Sequence, residues 1–344
     1  MSFRESSKIN QSMDLCKLIA SVFVVLIHIG LTDESGWVFN CLARFGVPVF
    51  FAISGYFSLN ADCGRIRKRA CHILKIFIVS SVGYFIWQCV RIQIFGNISV
   101  SEYLEGILTE ANISRWLLIG HNPFAGHLWY LHAILTCYVL LWIYVRFFDG
   151  KVNYNVFYIL GAVGMLIQIA FGSYTAAAGV ASYSLIYRNG LFFGLPMFAA
   201  GMFIREYSSV IKEKFRLNAF KEIGLVVFGI LLSLIQWKGS GLVEMPVGTL
   251  IEVIALMLLM DEHPQILPAK YDRMFKSFGN ISLAVYIIHQ FYILLINSLS
   301  AKEELFAGIR GDDLLMSLTV IALSLVTGIV YDMILTAIEK VKKR

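Results

Sequence analysis

Charge is what this chain has least of. Only 15% of its 344 residues are Asp, Glu, Lys or Arg, whereas 58% are hydrophobic. A soluble domain carries about 25% charged residues, because its surface faces water. The sparse charge here excludes a water-soluble globule of this length. Cysteine is also scarce and badly spaced for chemistry. The six cysteines (Cys16, Cys41, Cys63, Cys71, Cys89, Cys137) include no Cys-x-x-Cys pair, and most fall inside apolar stretches. That excludes a zinc ribbon and a disulfide framework. No internal repeat is visible, which removes the main signature of an inverted-repeat transporter. No A-x-A-like site follows the first apolar block, so it reads as an uncleaved span rather than a signal peptide.

What the chain has instead is apolar blocks of roughly 16 to 25 residues, the length that crosses a hydrocarbon core. Backbone groups find no water in lipid, so such blocks must be helices. We place spans near 15–31, 43–59, 71–95, 128–147, 154–172, 187–205, 220–237, 246–260, 280–299 and 313–335. The expected fold is all-α, a single polytopic bundle of about ten transmembrane helices over 1–344. Orientation follows from the basic residues. With the N-terminus inside, 22 of the 29 Lys and Arg fall on the inner side. Both termini are therefore expected in the cytoplasm. The net charge of +6 reflects this asymmetry rather than a nucleic-acid partner. The partner it implies is the lipid bilayer. The longest outer segment is 96–127, ending in His121-Asn122-Pro123-Phe124-Ala125-Gly126-His127. A second, 173–186, is small and polar.

Ionisable side chains inside a span are costly and mark functional candidates. The first span has three: Asp14, Lys17 and His28. The eleven residues from Lys17 to His28 make about three turns, so both share a face, roughly 16 Å apart along the axis. Asp14, three residues before Lys17, lies on that stripe. Asp14 and Lys17 read either as a functional pair or as interfacial anchors. His28 reads as a general base or as a packing histidine. In the second span Pro48 removes a helix donor and is expected to open a kink. Ser54 and Gly55 allow close helix approach. Arg65, Arg67, Lys68, Arg69 and Lys75 form a basic inner loop (60–75) that suits anionic lipid or the phosphates of a nucleotide-like group. Outer-side candidates are Arg44, His127, Trp129, His132 and Arg188. Glu252 lies among apolar residues, and Tyr286 and His289 share a helix face. His28, His127, His132 and His289 have no metal-ligand spacing, so no metal is expected.

The ordered set resembles the acyltransferase-3 family of membrane proteins. It comprises Lys17 with ten residues before His28, Gly-Val-Pro-Val-Phe-Phe-Ala-Ile-Ser-Gly-Tyr at 46–56 and the basic loop. His-Leu-Trp-Tyr-Leu at 127–131 and Ser-Leu-Ala-Val-Tyr-Ile-Ile-His at 282–289 complete it. The resemblance implies a ten-helix bundle in a bacterial cytoplasmic membrane. It implies transfer of an acyl group, often acetyl, from cytoplasmic acyl-CoA to a hydroxyl on a small molecule or cell-envelope acceptor at the far side. It implies His28 as catalytic base, Lys17 as its basic partner with Asp14, and Arg65 to Arg69 in contact with CoA. Arg44, Ser54, His127, Trp129, His132, Arg188, Glu252, Tyr286 and His289 are expected along the acceptor path. Two features depart from the family pattern. The basic partner, usually Arg, is Lys, which loses bidentate binding. The glutamate expected after the Trp of the fourth span is missing from His132-Ala133-Ile134. Val-Pro-Val-Phe-Phe-Ala-Ile-Ser-Gly-Tyr, His-Leu-Trp-Tyr and Arg188-Asn189-Gly190-Leu191-Phe192-Phe193 also look similar to the membrane half of vancomycin-resistance serine racemases. That alternative implies L-serine uptake and a C-terminal racemase domain beginning about where this chain ends. This chain contains no pyridoxal-phosphate lysine motif.

Overall fold

The computed structural model describes residues 9–31, 36–148, 152–178, 188–240 and 244–342. Part of the 173–186 segment, together with Arg4, Lys8, Lys151, Lys343 and Arg344, lies outside the described residues. The described chain is helical throughout. Helices α1 (Gln11–Ile29), α2 (Gly36–Leu42), α3 (Gly46–Tyr56) and α4 (Cys63–Phe95) come first. Then come α5 (Val100–Ile107), α6 (Glu110–Ile119), α7 (Trp129–Phe147) and α8 (Asn155–Ala177). The last are α9 (Leu195–Phe215), α10 (Ala219–Ser240), α11 (Val247–Glu262), α12 (Asp272–Leu299), α13 (Glu304–Gly311) and α14 (Asp313–Lys342).

Among the described residues, eight helical segments are long and apolar enough to cross a membrane. The two other expected spans are also helical. The first is α9 with a π-helical turn, Gly190–Gly194, ahead of it. Arg205, Glu206, Lys212, Glu213 and Lys214 in its second half dilute its hydropathy. The second is α11, 16 residues long and therefore short of a full crossing. The molecule is a multi-pass membrane protein, and its lipid-facing surface is apolar. Val79, Phe220 and Ile235 are 72%, 85% and 70% exposed, a pattern that water would not tolerate but lipid does.

Three expectations are corrected. The basic segment 65–75 is not a loop. Asp62 caps a 33-residue helix by accepting a hydrogen bond from the Arg65 amide at 2.8 Å, so the cations ride on the first turns of α4. The long outer loop 96–127 is not irregular throughout either; it contains α5 and α6. Ser99 and Thr109 cap α5 and α6 in the same way. The irregularity of the second span falls not at Pro48 but one turn earlier, in the 3₁₀ turn Ala43–Phe45. Pro48 sits in the first turn of α3, where its missing N–H removes little.

The helices pack as two linked groups. In one, α1 lies between α3 and α12, and α12 lies against α14. In the other, α9 contacts α3 and α8, α10 pairs with α11, and α4 pairs with α7. The α3–α9 crossing brings backbones into contact. A Cβ on Gly55 would stand 1.8 Å from the Phe198 carbonyl oxygen, and one on Gly201 would stand 1.8 Å from that of Ala52. Only glycine permits that approach. The start of α1 is clamped by a buried amide. Gln11 accepts hydrogen bonds from the amides of Ile266 (2.9 Å) and Leu267 (2.8 Å) and donates to Leu267 O (3.0 Å) and Asp272 (2.7 Å). This fixes the register of α1 against α12.

Candidate functional site

The last turn of α1 carries His28, the 3₁₀ turn before α7 carries His127, and the middle of α12 carries His289. The three rings meet. Their centroids are 5.0 Å apart for His28 and His289, 5.0 Å for His127 and His289, and 6.1 Å for His28 and His127. His127 and His289 are buried, while His28 is exposed into a cavity of about 220 Å³ that it lines. Among the described residues, no group of three His, Cys, Asp or Glu could hold a metal ion.

Their tautomers follow from their neighbours. His289 Nδ1 lies 3.1 Å from the Val285 carbonyl, which only accepts, so Nδ1 carries the proton and Nε2 is a lone pair. His127 Nε2 lies 3.3 Å from the Ile287 carbonyl, so its lone pair is on Nδ1. Both lone pairs are buried with no hydrogen-bond partner. Unsatisfied buried acceptors are rare and point to a site built for a donor. Tyrosines hold the cluster in place. Tyr286 donates to the His127 carbonyl, and Tyr84 donates to Ile287 O at 2.6 Å while its ring lies against His127.

The rest of the wall comes from three other places. Ile119 and His121 reach the cavity from the end of α6. Asn122 fixes that stretch, donating to Ser81 Oγ at 2.8 Å and accepting from the Phe124 and Ala125 amides. Gln88 donates to Phe124 O at 3.0 Å. Trp129 and Gln290 line it from α7 and α12, and Arg188 lines it from just before the π-helical turn. Asn189 caps that turn, accepting from the Leu191 and Phe192 amides. Arg188 pairs with Glu244, whose other oxygen accepts from Arg44 at 3.0 Å. Burial works to raise the Glu244 carboxyl, but Arg44 and Arg188 outweigh it and hold it below the usual range. His121 is held below its ordinary value by burial, then by Arg115 and Arg188.

The structure thus brings together six of the expected residues: His28, His127, His289, Trp129, Arg188 and Arg44. Tyr286 belongs with them as a support rather than a free side chain. The others lie elsewhere. Lys17 pairs with Asp14 at 2.7 Å, about three turns or more along α1 from His28, so neither touches it. His132 packs under Gly120 and against Phe77. Ser54 lies close to Tyr130 and Tyr138 of α7 and does not line the cavity. Glu252 is buried where α11 abuts Gly229 of α10. Arg65, Arg67 and Lys68 are exposed at the opposite end of the bundle from the cavity, whereas Arg69 turns back to Phe57 O (2.8 Å) and Ser58 Oγ (3.0 Å).

Two contributors were not singled out in the sequence. Gln290 had no signal beyond being next to His289. Glu244 had one: it is the sole carboxylate between Glu222 and Glu252, in a segment that faces two outer arginines.

Residues 10–333 match the family described as Acyltransferase domain. No curated protein and no solved structure matches the chain.

Proposed function

Because the chain belongs to this acyltransferase-3 family, we propose that it transfers an acyl group, acetyl in the simplest case, from acyl-CoA to a hydroxyl acceptor, with His28 as the base. The observation that carries this is the cavity in which an accessible imidazole is backed by two buried imidazole lone pairs. A hydroxyl beside His28 gives up its proton to that ring as its oxygen attacks the thioester carbonyl. The C–S bond then breaks and the thiolate leaves as CoA, taking up a proton. The other N–H of His28 then donates to one of the two buried lone pairs, on His127 or His289, which stabilises the charge that His28 acquires. Neutral histidines suit this task, because a general base must be unprotonated at the working pH.

The positive-inside bias supports an arrangement with α1 starting in the cytoplasm, His28 near the outer face, and both termini inside. Acyl-CoA then enters from the cytoplasmic side of a bacterial membrane. Its phosphates meet the exposed cations Arg65, Arg67 and Lys68, and the acceptor comes from outside. Lys17 and Asp14 lie about 16 Å and about 21 Å below His28 by helix rise, along the route that an extended pantetheine arm would take. The serine-uptake alternative rests on the sequence stretches alone, and no element of the cavity adds to it.

The test is thiol release. Purified protein in nanodiscs should bind acetyl-CoA and release CoA slowly without added acceptor, and His28→Ala should lose release while staying monodisperse. No acetyl-CoA binding at millimolar concentration would overturn the proposal. Serine accumulation in sealed proteoliposomes without any thiol release would favour transport.

A further inference from the structure

The charge beside the histidines does not balance. Among the described residues, Arg44 and Arg188 share one carboxylate, Glu244. Each guanidinium lies over an indole, Arg44 over Trp237 at 5.4 Å and Arg188 over Trp129 at 5.7 Å. The Nε of each arginine is buried with no hydrogen-bond partner. Glu244 itself stays ionised, as its two cations hold its carboxyl low. His121, which also lines the cavity, is held toward its neutral form by burial, then by Arg115 and Arg188. Among the described residues, one positive charge is therefore left over beside the cavity. An unmatched cation removed from bulk water is costly unless an anion completes it. Arg188 is the one of the two that lines the cavity, on the same wall as His28.

From this we infer that the acceptor is an anionic hydroxy compound. Its carboxylate or phosphate pairs with the Arg188 guanidinium while its hydroxyl faces His28. Arg188 suits the role because a planar fork of donors binds such oxyanions in two-point fashion. Glu244 tethers it on one side and leaves the rest of the fork for the ligand. A cavity of about 220 Å³ is smaller than a drug-sized site, so the recognised part is a small head rather than a polymer segment. The inference rests on the acyl-transfer reading only in calling this ligand the acceptor. The charge argument stands on the arginines.

Binding without any acyl donor tests it. Full-length protein in nanodiscs is titrated at fixed ionic strength with glycerate, glycerol 3-phosphate and the neutral isostere glyceramide. At least one anion is expected to bind about tenfold or more tighter than glyceramide, the size of one charge-assisted hydrogen bond. Which anion wins separates carboxylate from phosphate. Arg188→Gln leaves a balanced Arg44–Glu244 pair and should erase the preference. Glu244→Gln frees Arg188 and should strengthen anion binding, the opposite of what loss of a structural ion pair would do. Glyceramide binding as tightly as both anions, no binding by any of the three, or an unaltered preference in Arg188→Gln would each overturn the inference. Thiol release from acetyl-CoA on the same preparation reports on the acyl-transfer reading separately. Its absence beside an intact anion preference sinks that reading and not this one.

Discussion

His28 and His289 stand with their ring centroids 5.0 Å apart, although one closes α1 and the other lies in the middle of α12. Val285 orients the second ring, so its unpaired Nε2 is directed away from its own helix. The pair joins an accessible imidazole to a buried one. In the proposed reaction this divides the work: one ring would meet the substrate, and the other would stabilise what the first becomes.

That division predicts unequal mutants. His28→Ala should lower the acyl-transfer rate by about 10²- to 10⁴-fold, the usual contribution of a general base. His289→Ala should lower it less and leave acetyl-CoA affinity unchanged. Steady-state kinetics on both variants checks this; equal losses would mean that the two rings act as one unit.

The basic end of α4 should also split. Arg67→Ala is expected to raise the KM for acetyl-CoA without altering the thermal midpoint, because the side chain is exposed. Arg69→Ala is expected to lower the midpoint, because it strips donors from Phe57 O and Ser58 Oγ. Thermal unfolding in detergent alongside KM measurements separates the two.

Gly55→Ala should be among the most damaging single-methyl changes. Its Cβ would lie inside the Phe198 carbonyl, so α3 and α9 must move apart. A cost of at least about 1–3 kcal/mol is expected for such overpacking, read as a fall in the detergent unfolding midpoint. Gly83→Ala, where nothing lies within 4 Å, is the matched control and should have little effect.

Acid should weaken the outer wall in a defined direction. The folded protein holds His121 below its ordinary 6.5, so the unfolded chain binds that proton more readily. This group's contribution is intact above about pH 6.5 and declines as pH falls through that value. A midpoint-against-pH curve for His121→Gln should therefore be flatter than wild type between pH 7 and 5. A steeper curve would reverse the sign and refute the assignment.

Gln11→Ala should loosen the inner face. Removing the amide strips a hydrogen bond from each of the Ile266 and Leu267 amides, at about 0.5–1.5 kcal/mol for each bond lost because both residues are exposed. Hydrogen exchange should accelerate at 263–272 first, while the acceptor cavity stays protected.

Length, hydropathy and the placement of lysine and arginine determined by themselves that this is a helical membrane protein, because lipid leaves the backbone no alternative. His28, Arg44, Arg188 and Gly55 also stood out in the chain, since ionisable groups and close-packing glycines are few within apolar spans. Tertiary structure decided the rest. The sequence could not say that His127 and His289 join His28 while His132 turns under Gly120, because a ring's direction depends on which helices pack together. Glu244 passed unnoticed for the same reason. A lone loop carboxylate means little until packing places two guanidinium groups on it.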